Sequence, residues 1–239
     1  MPSPAVPATV VPLSEAIAAL RKFYGHPQPL PTKDPFELVL LENVAYLAPA
    51  ARRRQAFELL KQTIGTQPES ILAATRASLE RVTSHGILKA RFATKLRECA
   101  QTAVDAGSLD SVLQGPIENA RRALRKFPGI GAPTADKILL FSSRLACLAP
   151  ESNGLRVLAR LGLFDEKMSY PRMYSASLVA VDELGGKIPI LQEAHLLLHQ
   201  HGQTLCKRSS PQCTQCPLAG VCAHATRYRG QVQRGAAAS

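Results

Sequence analysis

The chain has 239 residues, 46% hydrophobic and 20% charged, ordinary globular proportions that provide for one large or two small cores. No stretch of about 18 uncharged apolar residues exists, which excludes a membrane-spanning helix. A formal charge of +11 favours a polyanionic partner over a basic but inert surface, because Lys and Arg gain from neutralising phosphates. The opening MPSPAVPATVVPL has neither a basic region nor a continuous apolar run, which argues against a secretory signal and for the cytoplasm. Aromatics make up 5% with no Trp, so Leu, Ala and Ile must fill the interior.

Residues 1–12 read as a flexible lead-in. Ser14 is placed to cap a first helix through Ile17, Leu20 and Phe23, which Gly25, Pro27, Pro29 and Pro31 end. Asp34-Pro35 then supplies an N-cap and a first-turn proline for PFELVLLENVAYL. Its apolar run at Phe36, Leu38, Val39, Leu40 and Leu41 is too continuous for a surface helix and predicts a central one. Glu42 and Asn43 interrupt that run, so the carboxylate lies either at the rim of a pocket or on a narrow solvated face.

Amphipathic helices are predicted over 52–64, 68–82 and 87–106, with a short one over 108–114 and another from Pro116 to Phe127. No alternating strand pattern and no internal repeat appears, so the predicted fold class is all-helical. At Phe127 the sequence turns to FPGIGAPTADKILLF, a two-glycine hairpin between helices, with Thr134 expected as the next cap. Gly129 and Gly131 allow close backbone approach, so N–H groups at a helix start can face a phosphate. Arg121, Arg122, Arg125, Lys126 and Lys137 surround the hairpin, which favours phosphate-backbone binding over a plain helix–helix turn.

In LAPESNGLRVLARLG, Glu151 sits at or near a helix N-terminus, either as a simple capping carboxylate or as a functional anion. Helices over 174–181 and 190–199 follow. The next segment, CKRSSPQCTQCPLAGVC, places Cys206, Cys213, Cys216 and Cys222 at C-x6-C-x2-C-x5-C. Zinc, an iron–sulfur cluster or two disulfides can tie such a knot. With no secretory signal, metal in a reducing compartment is the stronger reading. Four thiolates complete a site, so His195, His199 and His201 are read as neighbours of it or as surface residues. Cys99 and Cys147 lie in apolar stretches and read as buried small hydrophobes. The tail over 225–239 is basic and expected to be disordered.

Taken together these motifs resemble the endonuclease III and MutY branch of the helix-hairpin-helix DNA glycosylases. The resemblance rests on the cysteine spacing, His201-Gly202 ahead of it, the FPGIG hairpin, RVLARLG and PFELVL, in the same order over about residues 13–224. It implies a [4Fe–4S] cluster on Cys206, Cys213, Cys216 and Cys222. It implies two lobes, residues 13–34 with 147–224 holding the cluster and residues 35–146 forming a helical barrel. It implies double-stranded DNA as partner of a monomeric, cytoplasmic protein of the bacterial nucleoid. Gly129, Ile130, Gly131, Thr134, Lys137, Lys207 and Arg208 would meet the DNA, with a nucleotide flipped between the lobes.

Departures from the family pattern are equally informative. Pro133 occupies the place of the lysine that forms a Schiff base in bifunctional members, and a proline nitrogen can neither attack nor accept a proton. Lys137 is one turn further on. Glu151 falls on the family's essential aspartate, and its extra methylene can displace the carboxylate by about 1 Å. Glu42 aligns with the glutamate that works near the base in the adenine-removing branch. The glutamine-rich segment after it is replaced by Val44-Ala45-Tyr46-Leu47, so Tyr46 would stack, or Leu47 wedge, in the gap left by the flipped base. The chain runs only a short way beyond Cys222, without the extra domain that helps the adenine-removing branch recognise oxidised guanine. The expected activity is monofunctional N-glycosylase; the alternatives are a non-catalytic DNA-binding or damage-sensing homologue and an atypical abasic-site lyase.

Overall fold

The computed structural model describes residues 12–107 and 109–226, so the expected lead-in and nearly all of the basic tail lie outside the described residues. Among these the secondary structure is all-helical, as expected, with no strand. Two compact units divide the chain: Leu30–Leu145 forms one, and the segments up to Pro29 and from Ala146 onward form the other.

The unit from Leu30 to Leu145 holds α2 (Pro35–Asn43), α3 (Ala50–Thr63), α4 (Pro68–Ala73), α5 (Arg76–Thr83), α6 (Lys89–Ala106), α7 (Leu109–Gln114), α8 (Ile117–Leu124) and α9 (Ala132–Phe141). The α2 helix is nucleated as its sequence dictates. Asp34 accepts the Glu37 N–H at 2.8 Å, and Pro35 occupies the first turn, where its missing N–H costs nothing. Leu38, Val39, Leu40 and Leu41 are all buried, and α3, α6, α7 and α9 pack around the helix. The single helix expected over 68–82 is instead two. Thr75 accepts the Ser78 N–H and starts α5 afresh after Ala74 turns extended. Ile87 N–H donates to the Tyr46 carbonyl at 3.1 Å, which ties the loop before α6 to the loop that follows α2. Gly86 permits that approach, because a Cβ there would lie 2.4 Å from the Tyr46 nitrogen.

The second unit holds α1 (Leu13–Tyr24), α10 (Ser152–Leu161), α11 (Tyr170–Ser177), α12 (Ala180–Glu183) and α13 (Ile188–Thr204). Pro12, rather than Ser14, is the N-cap of α1, and Ser14 lies within the first turn. From Leu155 to Leu161 every residue of α10 is buried, including Arg156 and Arg160. The α10 and α13 helices pack tightly enough that a Cβ on Gly202 would lie 2.7 Å from both the Cβ and the carbonyl oxygen of Asn153.

Candidate functional site

In the hairpin, Gly131 caps α9, and Pro133 and Thr134 lie in its first turn, so Thr134 is not the cap that its position suggested. Gly129 takes φ 78°, a left-handed conformation that glycine adopts without strain. A Cβ there would also lie 2.7 Å from Asn43 Oδ1. Gly129 and Gly131 are exposed while Ile130 is buried, so the turn presents backbone and anchors itself by one side chain. Arg121 of α8 donates to Asp136 of α9 at 2.6 Å and also pairs with Glu118. The bond to buried Asp136 comes first among the causes that raise the Arg121 guanidinium above its ordinary value.

The same unit brings Lys137 to Glu42: the ammonium donates to the carboxylate at 2.7 Å, and Arg53 lies 3.7 Å away on its other oxygen. Lys137 is therefore held in an ion pair. Tyr46 stacks on Phe92 at 4.6 Å between centroids, and Leu47, at φ 53°, is 69% exposed. A hollow of about 400 Å³ in this unit is lined by Asp34, Phe36, Glu37, Gln67, Leu109 and Asp110, among others. It contains none of the sequence-predicted site residues, and its carboxylates carry the wrong sign for phosphate.

In the second unit Glu151 is the N-cap of α10. Its Oε2 accepts the Asn153 N–H at 3.0 Å and Asn153 Nδ2 at 2.9 Å, while Oε1 accepts the Gly154 N–H at 2.9 Å. His199 Nδ1, from α13, lies 3.1 Å from Oε1. Burial alone would push this carboxyl up, but His199 and the backbone N–H groups outweigh it and hold the group at about 2. Glu151 is thus an anion throughout the physiological range. Tyr170, at the start of α11, lies on the same site: burial, then the charge of Glu151, raises its phenol.

This carboxylate makes stability depend on acid. Its ordinary value is 4.5, so the stabilisation is complete above that pH and is withdrawn as pH falls towards about 2. Glu151→Gln is expected to flatten that acid limb by at most about 3 kcal/mol, read from denaturant midpoints measured across the window. An unchanged limb would place the carboxyl outside these bonds.

Cys206, Cys213, Cys216 and Cys222 line one small cavity with Val157 and Leu218. Among the described residues no group of three or more His, Cys, Asp or Glu is gathered so as to hold a single metal ion. The donor set nonetheless has the features of a thiolate site. Arg160 Nη1 lies 3.5 Å from the Cys206 sulfur, and the Leu218 N–H points at Cys216 at 3.4 Å. Burial, then the neighbouring thiols, raises Cys216 to about 11, a cost that a cationic centre would reverse. Lys207 and Arg208 are exposed beside it, their carbonyls accepting from Arg160 at 2.7 and 3.2 Å. His201 sits between Tyr24, whose hydroxyl is 3.0 Å from Nδ1, and Cys216, 3.5 Å from Nε2; burial lowers it to about 4.

No family model matches the chain. The endonuclease III of Rickettsia conorii is 28% identical over 156 residues, which is 65% of this chain and 68% of that protein. That of Sulfolobus acidocaldarius is 28% identical over 70% of this chain and 72% of its own length. Several others align over about half of theirs, as does the Rickettsia felis endonuclease III, 30% identical over 51% of its length. Among solved structures, a trapped endonuclease III–DNA covalent intermediate superposes with a TM-score of 0.72 at 20% identity, covering 92% of this chain and 99% of that one. In sequence the chain is similar to endonuclease III proteins, and it has their all-helical fold. A thermostable thymine-DNA glycosylase superposes almost as well, with a TM-score of 0.71 at 17% identity over 92% of this chain and 99% of that one.

Sequence reasoning missed the groups that brace the site. Arg156 donates to the carbonyls of Cys206 at 2.8 Å and Gly202 at 2.7 Å, and to Asn153 Oδ1 at 2.8 Å. The available signal was two arginines four apart in an otherwise apolar helix, which buries both on one face. His199 carried no such signal, because its partner lies on a different helix.

Proposed function

We propose that this protein is a monofunctional DNA N-glycosylase that hydrolyses the bond between deoxyribose and a damaged or mismatched base in double-stranded DNA. The observation that carries the reading is Glu151, a carboxylate held as an anion by backbone N–H groups and His199. As the C1′–N bond lengthens, positive charge develops on the sugar, and a fixed anion favours that state over the neutral substrate. Water then adds to C1′, and the departing base takes a proton. Glu42, held between Lys137 and Arg53, is assigned to the base side. The exposed backbone of Gly129 to Gly131, with Thr134, Lys137, Lys207 and Arg208, is assigned to phosphates, and Tyr46 and Leu47 to the gap in the stack.

Two features support the absence of a lyase step. Pro133 offers no amine, and Lys137 is already paired with Glu42. Cys206, Cys213, Cys216 and Cys222 are proposed to hold a [4Fe–4S] cluster. When bound, such a cluster ties the loop to its helices and supplies a one-electron centre. Action as a cytoplasmic monomer is part of the same reading.

A second reading, a non-catalytic DNA-binding or damage-sensing protein, draws on Tyr46 being stacked on Phe92 and on both Glu151 oxygens being already bonded. Incubating the protein with a panel of lesion duplexes, followed by alkali, separates the two. The glycosylase reading expects alkali-labile sites at one lesion class, no borohydride-trapped adduct, and a fall of at least about 100-fold with Glu151→Gln. Tight duplex binding with no abasic sites across the panel would leave the binding protein.

A further inference from the structure

Glutamate is not among the side chains that cap helices well, because its extra methylene lets the carboxylate swing away from the first turn. In Glu151 the cap bonds to Asn153 and Gly154 are nonetheless made, and a third element completes the restraint. His199 Nδ1 lies 3.1 Å from Oε1, the oxygen that also accepts the Gly154 N–H. His199 stands one turn before Gly202, where α13 meets the Asn153 backbone of α10 at closest approach, so its imidazole projects from a helix with little room to shift.

We infer that His199 is the positioning residue for Glu151, fixing a carboxylate whose own helix start leaves it too mobile to be aimed. The inference rests on the base-excision reading and adds to it a residue that acts only through the anion. The bond needs a proton on Nδ1, which one neutral tautomer provides. The other groups around the carboxylate are Ser152 and Asn153 of α10, Arg156 acting through Asn153, and Tyr170 of α11.

The test is single-turnover base excision alongside DNA affinity. His199→Leu is expected to slow excision by about tenfold to hundredfold with the Kd for the duplex unchanged. His199→Asn keeps an N–H donor at this position, so it should restore most of the rate. Glu151→Asp shortens the reach and removes the freedom that His199 restrains. In that background His199→Leu should cost little more, a clear departure from additivity. Equal losses from His199→Leu in both backgrounds, or wild-type excision by His199→Leu, would overturn the inference while the base-excision reading stands. A wild-type protein that makes no abasic sites would fail before any variant is compared, and the positioning role would fall with that reading.

Discussion

Gly202→Ala is expected to destabilise the protein by about 2–4 kcal/mol, although it adds a single methyl group. That methyl would lie 2.7 Å from the Asn153 Cβ, 2.7 Å from its carbonyl oxygen and 2.9 Å from its carbonyl carbon. Two of these are backbone atoms of α10, which no rotamer change can move aside, so α10 and α13 must separate. The separation would also strain what crosses the interface. Arg156 donates to the Gly202 carbonyl, and His199 reaches Glu151. Denaturant midpoints measure the effect, with Gly220→Ala as control, since a Cβ at 220 meets nothing within 4 Å. Equal midpoints for the two variants would mean that the helices are not this close. A surviving fold with reduced Glu151 function would show that the strain is absorbed locally.

The sequence made the central helix legible because two independent signals agreed. The Asp34-Pro35 start gave a boundary, and the uninterrupted apolar run from Leu38 to Leu41 gave burial on every side. Boundaries set by weaker chemistry were not recoverable. Apolar periodicity continues across Ala74 and hides the break that the Thr75 side chain enforces. In the hairpin, Thr134 looked like a cap because hydroxyls favour that position. However, Pro133 tolerates the first turn so well that α9 begins earlier, at Ala132. Glu151 shows the same limit at the candidate site. Its place before α10 could be read from PESN, but its ionisation depends on Asn153 and Gly154 nearby and on His199 from α13. In α10 the otherwise apolar pattern marks Arg156 and Arg160 as buried but does not name what they bond. Their guanidinium groups donate to carbonyls of Gly202, Cys206, Lys207 and Arg208, acceptors that no local pattern marks.

Cys213→Ser, with a cluster bound in the wild type, is expected to remove iron and the visible absorption together and to unfold the cysteine loop. The segment from Leu205 to Cys222 contains no α-helix, and little regular bonding holds it. The Gln212 N–H reaches the Leu205 carbonyl at 2.9 Å, and Arg160 holds the carbonyls of Lys207 and Arg208. Such a segment depends on its cross-link, because binding free energy to a structural centre is folding free energy. The loss should therefore reach several kcal/mol, and it should spread to α10, whose Arg156 and Arg160 would lose the carbonyls that pair their buried charges. Cys99→Ala is the matched control. Its thiol is fully buried, and burial, followed by the nearby Glu98 charge, raises it to about 12, so it is an inert packing group whose removal should leave iron content unchanged. Elemental analysis of anaerobically purified protein distinguishes iron from zinc, and chelation in the unfolded state followed by refolding tests dependence. A Cys213→Ser protein that keeps its iron, or a metal-free wild type with an unchanged denaturant midpoint, would remove the cluster from the account of this loop. The buried arginines would then be stabilised by backbone carbonyls together with Asn153 and Glu166.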